Sequence, residues 1–275
     1  MKLKCCICST DKYDKFFKKI NDFELVRCAG CGLVYLKDAE EKFDFIQAAQ
    51  SQIKINSSQK VQYWSFPCFY DKYKPVFDGF FTERLLRIKQ FCPGARTMFD
   101  VGCGYGLWMK FCAGQGIEVK GIDLSCEVVN YARGQLHLDA EIASLEDYRF
   151  DRQYDVMVMC DILEHLFEPN KQLEKIRNNL QRGGIIFIQV PNLLGFKIPL
   201  RHSFSLPYHL WQFSLETISL LLKKNGFKIA GYWTGVMGII GEYEKGWPRL
   251  FQRALWKSAS LLRLGNRLKV IAKKI

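Results

Sequence analysis

The chain has 275 residues, of which 48% are hydrophobic and 25% charged, and its formal net charge is +12. A chain of this length can bury one full hydrophobic core and has residues left for a small appended module. The sequence has no N-terminal apolar segment of the signal-peptide type and no apolar run of about 18 residues, which excludes an evident secretion signal or spanning helix and predicts a cytoplasmic protein.

The N-terminal region contains two pairs of cysteines with two residues inside each pair. The pairs are Cys5 with Cys8 and Cys28 with Cys31, and 19 residues lie between them. This is zinc-ribbon spacing, since two intervening residues let both thiolates reach one ion from a tight turn. The sequence therefore predicts a structural zinc ion in a small module over residues 1–37. The alternative is that these are buried free cysteines. Disulfides are not expected, because they are rare in the cytoplasm.

Residues 38–93 are predicted to link this module to a larger domain. The segment is polar at first, then rich in aromatic residues, and it ends in "FTERLLRIKQF", where apolar residues recur at helical spacing. We expect helices that connect the two parts and form a lid over a pocket of the larger domain.

From residue 94 onward, short apolar runs alternate with helical stretches. The runs are "TMFDVG", "EVKGIDLS", "YDVMVMCD" and "GGIIFIQVPN". Strands separated by helices predict an α/β fold with a doubly wound, mostly parallel sheet, here over residues 94–240. Such sheets bind ligands at the carboxyl ends of their strands, where the glycines of "FDVGCGYGLW" fall.

The spacing of these glycines, GxGxG, differs from the GxGxxG of dinucleotide folds. Asp123 ends the second predicted strand about 20 residues later, where a carboxylate accepts hydrogen bonds from ribose hydroxyls. Asp100, directly before the glycines, would repel a pyrophosphate and suits a ligand that carries an ammonium and a sulfonium group. The sequence thus favours a ligand that is cationic at this end.

Five motifs in order resemble the class I S-adenosylmethionine-dependent methyltransferases, in particular the branch with an N-terminal zinc-binding segment. The motifs are "FDVGCGYG", "GIDLS", "CDILEHLFEP", "LQRGGIIFIQVPN" and "YHLWQFSLETISLLLKKNGF". The resemblance implies a Rossmann-like fold, S-adenosylmethionine (SAM) as cofactor and methyl transfer as activity.

The resemblance also assigns positions around the cofactor. It implies that the methionine part is lined by Asp100, Gly102, Gly104 and Gly106. Asp123 would hold the ribose, Leu124 would pack on the adenine, Ser144 and Leu145 would lie at the adenine edge, and Cys160 would close the pocket. Family members often have an acidic residue at the position of Ser144.

The candidate catalytic residues are His165, His209 and Glu164, because methyl transfer to a hydroxyl needs a base to remove one proton. For either histidine, the alternative is a structural role in which the side chain anchors its loop. Asp161, Glu164 and His165 share one face of a short helix, and with His209 they resemble the metal-binding pattern of some hydroxyl-directed family members. No Asn/Asp-Pro-Pro-aromatic motif of amino-directed enzymes is present, so an oxygen or carbon acceptor is favoured.

The tail, residues 241–275, contains nine Lys or Arg and two Glu, which is +7 of the net charge. Between Trp247 and Lys257, apolar and basic residues occupy different faces of a predicted helix. Such a basic amphipathic helix is typical of membrane-surface binding. A terminal helix packed on its own domain is the alternative, and nucleic acid is a less favoured partner because no nucleic-acid-binding motif is present.

The function predicted from these patterns is methylation of a hydroxyl or carbon of a sugar, a lipid-linked saccharide or a related small metabolite. A lipid-linked acceptor would explain attachment to the inner membrane surface. The alternatives are an RNA-end methyltransferase and a non-catalytic SAM-fold interaction protein.

Overall fold

The computed structural model describes residues 4–20, 22–37, 39, 67–195, 204–235 and 258–275. The strands are β1 (Tyr13–Ile20), β2 (Phe23–Cys28), β3 (Val34–Leu36), β4 (Thr97–Val101), β5 (Glu118–Asp123), β6 (Asp139–Ile142), β7 (Tyr154–Cys160), β8 (Leu180–Pro191), β9 (Trp211–Gln212), β10 (Phe227–Gly235) and β11 (Arg267–Lys274). The helices are α1 (Pro67–Lys72), α2 (Lys74–Phe91), α3 (Leu107–Ala113), α4 (Cys126–Gly134), α5 (Pro169–Asn178) and α6 (Leu215–Lys224). A 3₁₀ turn covers Leu163–His165.

Seven strands form the larger sheet in the order β10-β11-β8-β7-β4-β5-β6. The five strands from β8 to β6 are parallel, and β11 runs antiparallel to both β8 and β10. Side chains alternate between the two faces of the sheet. Met98, for example, packs in the core under α2, α3 and α4, while its neighbour Phe99 packs in the core that includes α5 and α6. The predicted doubly wound, mostly parallel sheet is confirmed.

The cysteine-rich module is antiparallel and is joined to the larger domain by main-chain pairing. Its sheet has the order β1-β2-β3-β9, and β9 comes from the segment just before α6. Val34 pairs with Gln212 and Tyr35 with Trp211. The buried residues of β2 and β3 belong to the same core as those of α5 and α6. The module is therefore built into the fold and shares its core.

The predicted C-terminal helix over 241–275 is wrong for residues 267–274, which form β11. This strand lies between β8 and β10, so its main chain is paired on both sides. Leu268 and Val270 face one core and Ile271 faces the other, which is the pattern of a strand buried on both faces. The domain boundary at 240 is consequently too early. Residues 236–257, including Trp247, lie outside the described part of the chain.

Of the predicted linker, 38–93, the structure describes residues 39 and 67–93, and α1 and α2 occupy most of the second range. Residues 40–66 lie outside the described ranges. Among the described helices, none has the length and apolar character needed to cross a bilayer.

Candidate active site and cysteine cluster

The loop between β4 and α3 has three glycines in the left-handed region, with φ of 75° at Gly102, 55° at Gly104 and 75° at Gly106. A side chain at Gly102 would collide with Ile162, and one at Gly106 would lie 2.7 Å from Leu138. A Cβ at Gly104 would meet nothing within 4 Å. The two outer glycines are therefore enclosed by protein, and the central one faces open space that a ligand can enter.

Asp123, at the end of β5, holds this loop. Its Oδ2 accepts a hydrogen bond from the amide of Gly104 at 3.0 Å, and its Oδ1 accepts one from the amide of Ser125 at 2.9 Å. Each carboxylate oxygen has a second acceptor position. Asp123 is thus fixed beside the open glycine and can still accept hydrogen bonds from a ligand.

A cavity of about 600 Å³ lies at the ends of β5 and β6 and is lined by Leu124, Ser144 and Asp147 among others. Leu124 is 58% exposed, so its apolar face is available to a flat ring. Ser144 donates a hydrogen bond from Oγ to Asp147 Oδ2 at 2.6 Å. The carboxylate that the sequence lacks at 144 is therefore present three residues later. Leu145 was expected at the cavity, but its side chain is buried in the core.

Arg84 on α2 is a residue that the sequence analysis did not identify. It is 5% exposed and lies against aromatic rings, with its guanidinium carbon 4.7 Å from the centre of Trp108 and 5.2 Å from that of Phe187. Among the described residues, its Nε has no hydrogen-bond partner. A buried donor without a partner is costly, so this nitrogen is available to an anionic ligand group.

Asp100 on β4 is 4% exposed. Burial raises its pKa to about 7, and Asp123 adds to this effect, while the positive charge of Arg84 opposes it. Cys160 ends β7 nearby, and burial raises the pKa of its thiol to about 12. One buried carboxyl and one buried guanidinium therefore flank the carboxyl end of β4.

Glu164, His165 and His209 form a second group of polar side chains, here called the Glu-His-His cluster. One ligand-type atom from each lies within 4.8 Å of the others. Both carboxylate oxygens of Glu164 are buried without a hydrogen-bond partner among the described residues, and His209 Nε2 is 4.0 Å from Oε1. Burial, together with the charge of Asp161, raises the pKa of Glu164 well above its usual range. Nδ1 of His165 is 2.7 Å from the carbonyl oxygen of Tyr208.

Asp161 does not join this cluster, contrary to the prediction of a four-residue metal set. Its Oδ2 accepts a hydrogen bond from Gln189 Nε2 at 2.7 Å, and Arg267 Nε lies 2.8 Å from its Oδ1. The backbone of Asp161 is left-handed, with a φ of 56°. Its carboxylate therefore contacts side chains of β8 and β11.

The four predicted cysteine ligands converge. Their sulfur atoms lie within 4.8 Å of one another, and the Sγ atoms of Cys5 and Cys31 are 3.5 Å apart. Burial raises the pKa of Cys5 to about 11. Burial also acts on Cys28, but amide hydrogen bonds from Cys31 and Gly30 outweigh it and lower the pKa of this thiol. Four thiols brought together without a disulfide fit a tetrahedral metal ion such as zinc.

Comparison with known proteins decides the family. A family model described as a methyltransferase domain matches residues 70–230, which is more than half of the chain. The chain belongs to the methyltransferase domain family. The chain also resembles solved structures. A SAM-dependent methyltransferase from Archaeoglobus fulgidus superposes with a TM-score of 0.53 at 21% identity, over 75% of this chain and 100% of that one.

A SAM-bound amino pentose methyltransferase from Micromonospora echinaspora superposes on this chain with a TM-score of 0.52 at 14% identity, over 79% of this chain and 100% of that chain. At such identities the likeness shows the fold alone, and it confirms the predicted Rossmann-like class.

Sequence relatives of the chain are named ubiquinone biosynthesis O-methyltransferase. The protein from Thiobacillus denitrificans is 33% identical over 104 residues, which is 35% of this chain and 45% of that protein. The protein from Xanthomonas campestris pv. campestris is 33% identical over 107 residues, or 36% and 44% of the two chains. The chain spans less than half the length of these curated relatives.

Proposed function

We propose that this protein transfers the methyl group of SAM to an oxygen atom of a small metabolite. The observation that carries the proposal is the buried pair Arg84 and Asp100, whose charges interact, together with the open glycine Gly104 in the loop after β4. The amino-acid end of SAM has one carboxylate and one ammonium group. Arg84 would bind the carboxylate, which removes the cost of its unpaired burial, and Asp100 would bind the ammonium.

The remaining parts of the cofactor fit neighbouring groups. Asp123 has acceptor positions for the ribose hydroxyls, and the cavity next to Leu124 offers an apolar surface for the adenine ring. The Asp147 carboxylate, held by Ser144, lies in the same cavity and can accept a hydrogen bond from the adenine amino group. SAM supplies a methyl carbon activated by a positively charged sulfur, and the chain's contribution is to orient it.

The Glu-His-His cluster would act on the acceptor. In methyl transfer, the acceptor oxygen forms a bond to the methyl carbon as the bond from that carbon to sulfur breaks, and the hydroxyl proton must leave. His209 is our candidate for the proton acceptor. His165 is oriented by the carbonyl of Tyr208, and the carboxyl group of buried Glu164, 4.0 Å from His209 Nε2, would position the ring of His209.

Alternatively, the cluster would bind a divalent metal ion through Glu164, His165 and His209. One carboxylate and two imidazoles suit a transition metal, and the unpartnered Glu164 oxygens are compatible with it. Such an ion would polarise the acceptor oxygen. For the N-terminal cysteine cluster, we infer one structural zinc ion held by Cys5, Cys8, Cys28 and Cys31.

An oxygen acceptor is supported by the O-methyltransferases that match about a third of this chain. The sequence also predicts that the acceptor is a sugar or a lipid-linked saccharide and that the protein attaches to an anionic membrane surface. Both stay predictions. The decisive experiment supplies SAM with a labelled methyl group to the purified protein together with separate extract fractions: quinone precursors, nucleotide sugars, lipid-linked saccharides and RNA.

We expect label in one fraction of small molecules, loss of that label with His209→Ala, and retention with the control His137→Ala, a histidine between α4 and β6. Label in RNA would support the RNA-end alternative. No transfer to any fraction, combined with tight SAM binding, would support the non-catalytic alternative.

A further inference from the structure

A continuous chain of main-chain hydrogen bonds joins the cysteine module to the Glu-His-His cluster. The amide of Leu36, in β3, donates to the carbonyl oxygen of Leu210 at 2.8 Å. The amide of Leu210 donates in turn to the carbonyl oxygen of Glu164 at 2.8 Å. Leu210 directly follows His209, so β3 holds the backbone next to His209. Through Leu210, β3 also holds the backbone of Glu164.

A side-chain contact reinforces this connection. Trp211 pairs with Tyr35 across β9 and β3, and the two rings have centres 5.9 Å apart. Its Nε1 donates a hydrogen bond to the carbonyl oxygen of Leu166 at 2.7 Å. Leu166 directly follows the 3₁₀ turn that carries Glu164 and His165. Trp211 therefore ties the end of that turn to the segment that is paired with β3.

The cysteine cluster lies at the other end of β3. The amide of Cys28 donates to the carbonyl oxygen of Leu33 at 2.8 Å, so the loop that carries Cys28 and Cys31 closes directly onto the start of the strand. The second cysteine loop is anchored to α6, since Lys224 Nζ donates to the carbonyl oxygens of Cys6 at 3.0 Å and Ile7 at 2.8 Å. An ion bound by cysteines of both loops would fix the position of β3, which is hydrogen-bonded to Leu210, the residue after His209.

The residues proposed to bind the cofactor are held by other elements of the fold. The loop with Gly104 lies between β4 and α3, and its hydrogen bond goes to Asp123 at the end of β5. Arg84 comes from α2, on the face of the larger sheet that packs in the other core. These contacts do not include β1, β2, β3 or β9.

From these contacts we infer that the cysteine module is a positioning element for the acceptor half of the site: a metal ion at its four cysteines orders β3, and β3 orders Glu164 and His209 through Leu210 and Trp211. The cofactor half forms without it. This rests on the proposed function, because it assigns the Glu-His-His cluster to the acceptor. Metal occupancy would then control acceptor binding and leave cofactor binding unchanged.

The test uses the full chain and does not require the acceptor. The sequence has four histidines, so ring signals of protein labelled with ¹⁵N-histidine can be resolved and assigned by substitution. Zinc is removed with a chelator or by Cys8→Ser, with the exposed Cys68→Ser as the matched cysteine control. We expect the signals of His165 and His209 to shift or broaden, and that of His137 to stay unchanged.

S-adenosylhomocysteine (SAH) affinity is measured by calorimetry on the same samples, and we expect a change of less than about threefold. Unchanged His165 and His209 signals in the zinc-free protein would overturn the inference. Loss of SAH binding on zinc removal would also overturn it, since the two halves would then not be independent. Zinc-loaded protein that binds no SAH would instead contradict the proposed function, and the histidine signals would still report on the positioning.

A milder variant avoids unfolding the module. Trp211→Phe keeps an aromatic ring against Tyr35 and removes the N–H that bonds to Leu166. Trp233→Phe is the control, because the buried Nε1 of Trp233 has no hydrogen-bond partner among the described residues. Only Trp211→Phe should shift the His165 and His209 signals, with SAH affinity retained by both variants. Equal spectra for the two variants would contradict the role of Trp211.

Discussion

The amide of Gly104 donates a hydrogen bond to Asp123 Oδ2 at 3.0 Å, and this bond joins two sequence segments that are both predicted to bind the cofactor. The glycine belongs to the loop after β4, and the aspartate ends β5. The contact fixes the loop in a left-handed conformation beside the carboxylate. It predicts that changes at either residue affect the same binding site.

Replacing Gly104 by Val should reduce SAH affinity at least tenfold, since a branched side chain would occupy open space next to Asp123 and strain a backbone with φ of 55°. The control is Gly116→Val. Gly116 also has a positive φ, 79°, and open space around it, but it lies between α3 and β5. Both variants should lose roughly 1–2 kcal/mol of stability from strain, and only Gly104→Val should weaken binding in calorimetry.

The companion change Asp123→Ala should weaken SAH binding by roughly 1.5–3 kcal/mol, the usual contribution of hydrogen bonds to a charged group. It also removes the loop's acceptor, so Asp123→Asn, which keeps a carbonyl oxygen, should lose less. Equal affinities for wild type and Asp123→Ala would contradict the assignment of the ribose to this residue.

SAH affinity should depend on pH through Asp100. The pKa of this carboxyl is raised to about 7 by burial, so it is ionised above that pH and neutral below it. Because only the ionised form attracts the ammonium group of the ligand, affinity should fall as pH decreases through 7, by about tenfold for each unit well below the pKa. Asp100→Asn should bind weakly at every pH. A wild-type affinity that rises toward low pH would contradict this role.

The cysteine cluster predicts one zinc ion per chain. Metal analysis of the purified protein should find a ratio of about one, and Cys28→Ser should reduce the ratio strongly because three thiolates leave the tetrahedral site incomplete. Cys68→Ser should keep it at one. A wild-type protein without metal, or with an unchanged ratio after Cys28→Ser, would refute the site.

Lys269 is a buried cation on β11 whose exposed fraction is only 2%, and its ion pair with Glu83 is 3.2 Å long. Burial lowers the pKa of this lysine, and Glu83 opposes the shift. Glu83→Gln leaves the cation uncompensated and should cost roughly 1–2 kcal/mol of unfolding free energy, a value reduced because Glu83 is partly exposed.

Removing the buried charge itself should have a smaller effect. Lys269→Met keeps most of the side-chain volume, so we expect it to be neutral or stabilising in urea denaturation. If Glu83→Gln proved harmless and Lys269→Met strongly destabilising, the stability attributed to this pair would come from packing alone.

The predicted membrane helix requires a different test from truncation, because ending the chain near residue 241 would remove β11 from the sheet. Replacing Arg249, Arg253 and Lys257 by Gln leaves β11 intact. If this segment binds anionic vesicles, the three changes should remove about 3 kcal/mol, near 1 kcal/mol for each charge, and wild-type binding should decrease with salt. Equal cosedimentation of both proteins would exclude the basic face as the anchor.

The parallel strands could be predicted from the sequence because each strand carries its own apolar run, and the glycine loop and Asp123 could be placed at strand ends because each motif is local. The cluster of four cysteines could also be predicted from the sequence, because two CxxC pairs at this spacing are typical of a zinc ribbon. Leu145 was misplaced because a loop position does not reveal which of two neighbouring side chains enters the core. Arg84 was missed because an arginine in a helix is usually exposed, and only burial without a partner distinguishes it.

The role of β11 could not be predicted from its own residues. The segment "RLKVIAKK" carries four basic residues, and the helical periodicity upstream suggested that the helix continued. Its strand state comes from pairing with β8, which lies about 80 residues earlier in the chain. Asp161 shows the same limitation at the site, since its left-handed backbone and its contacts with Gln189 and Arg267 depend on strands that are distant in sequence.

The position of β11 also constrains the order of biosynthesis. Proteins are made from the N-terminus, yet this strand lies in the interior of the sheet, between β8 and β10. Until residues 267–274 emerge from the ribosome, β8 exposes an unpaired apolar edge and β10 has no neighbour in the sheet. Such an edge can pair with other chains, so the nascent protein should depend on chaperones until β11 has emerged and paired.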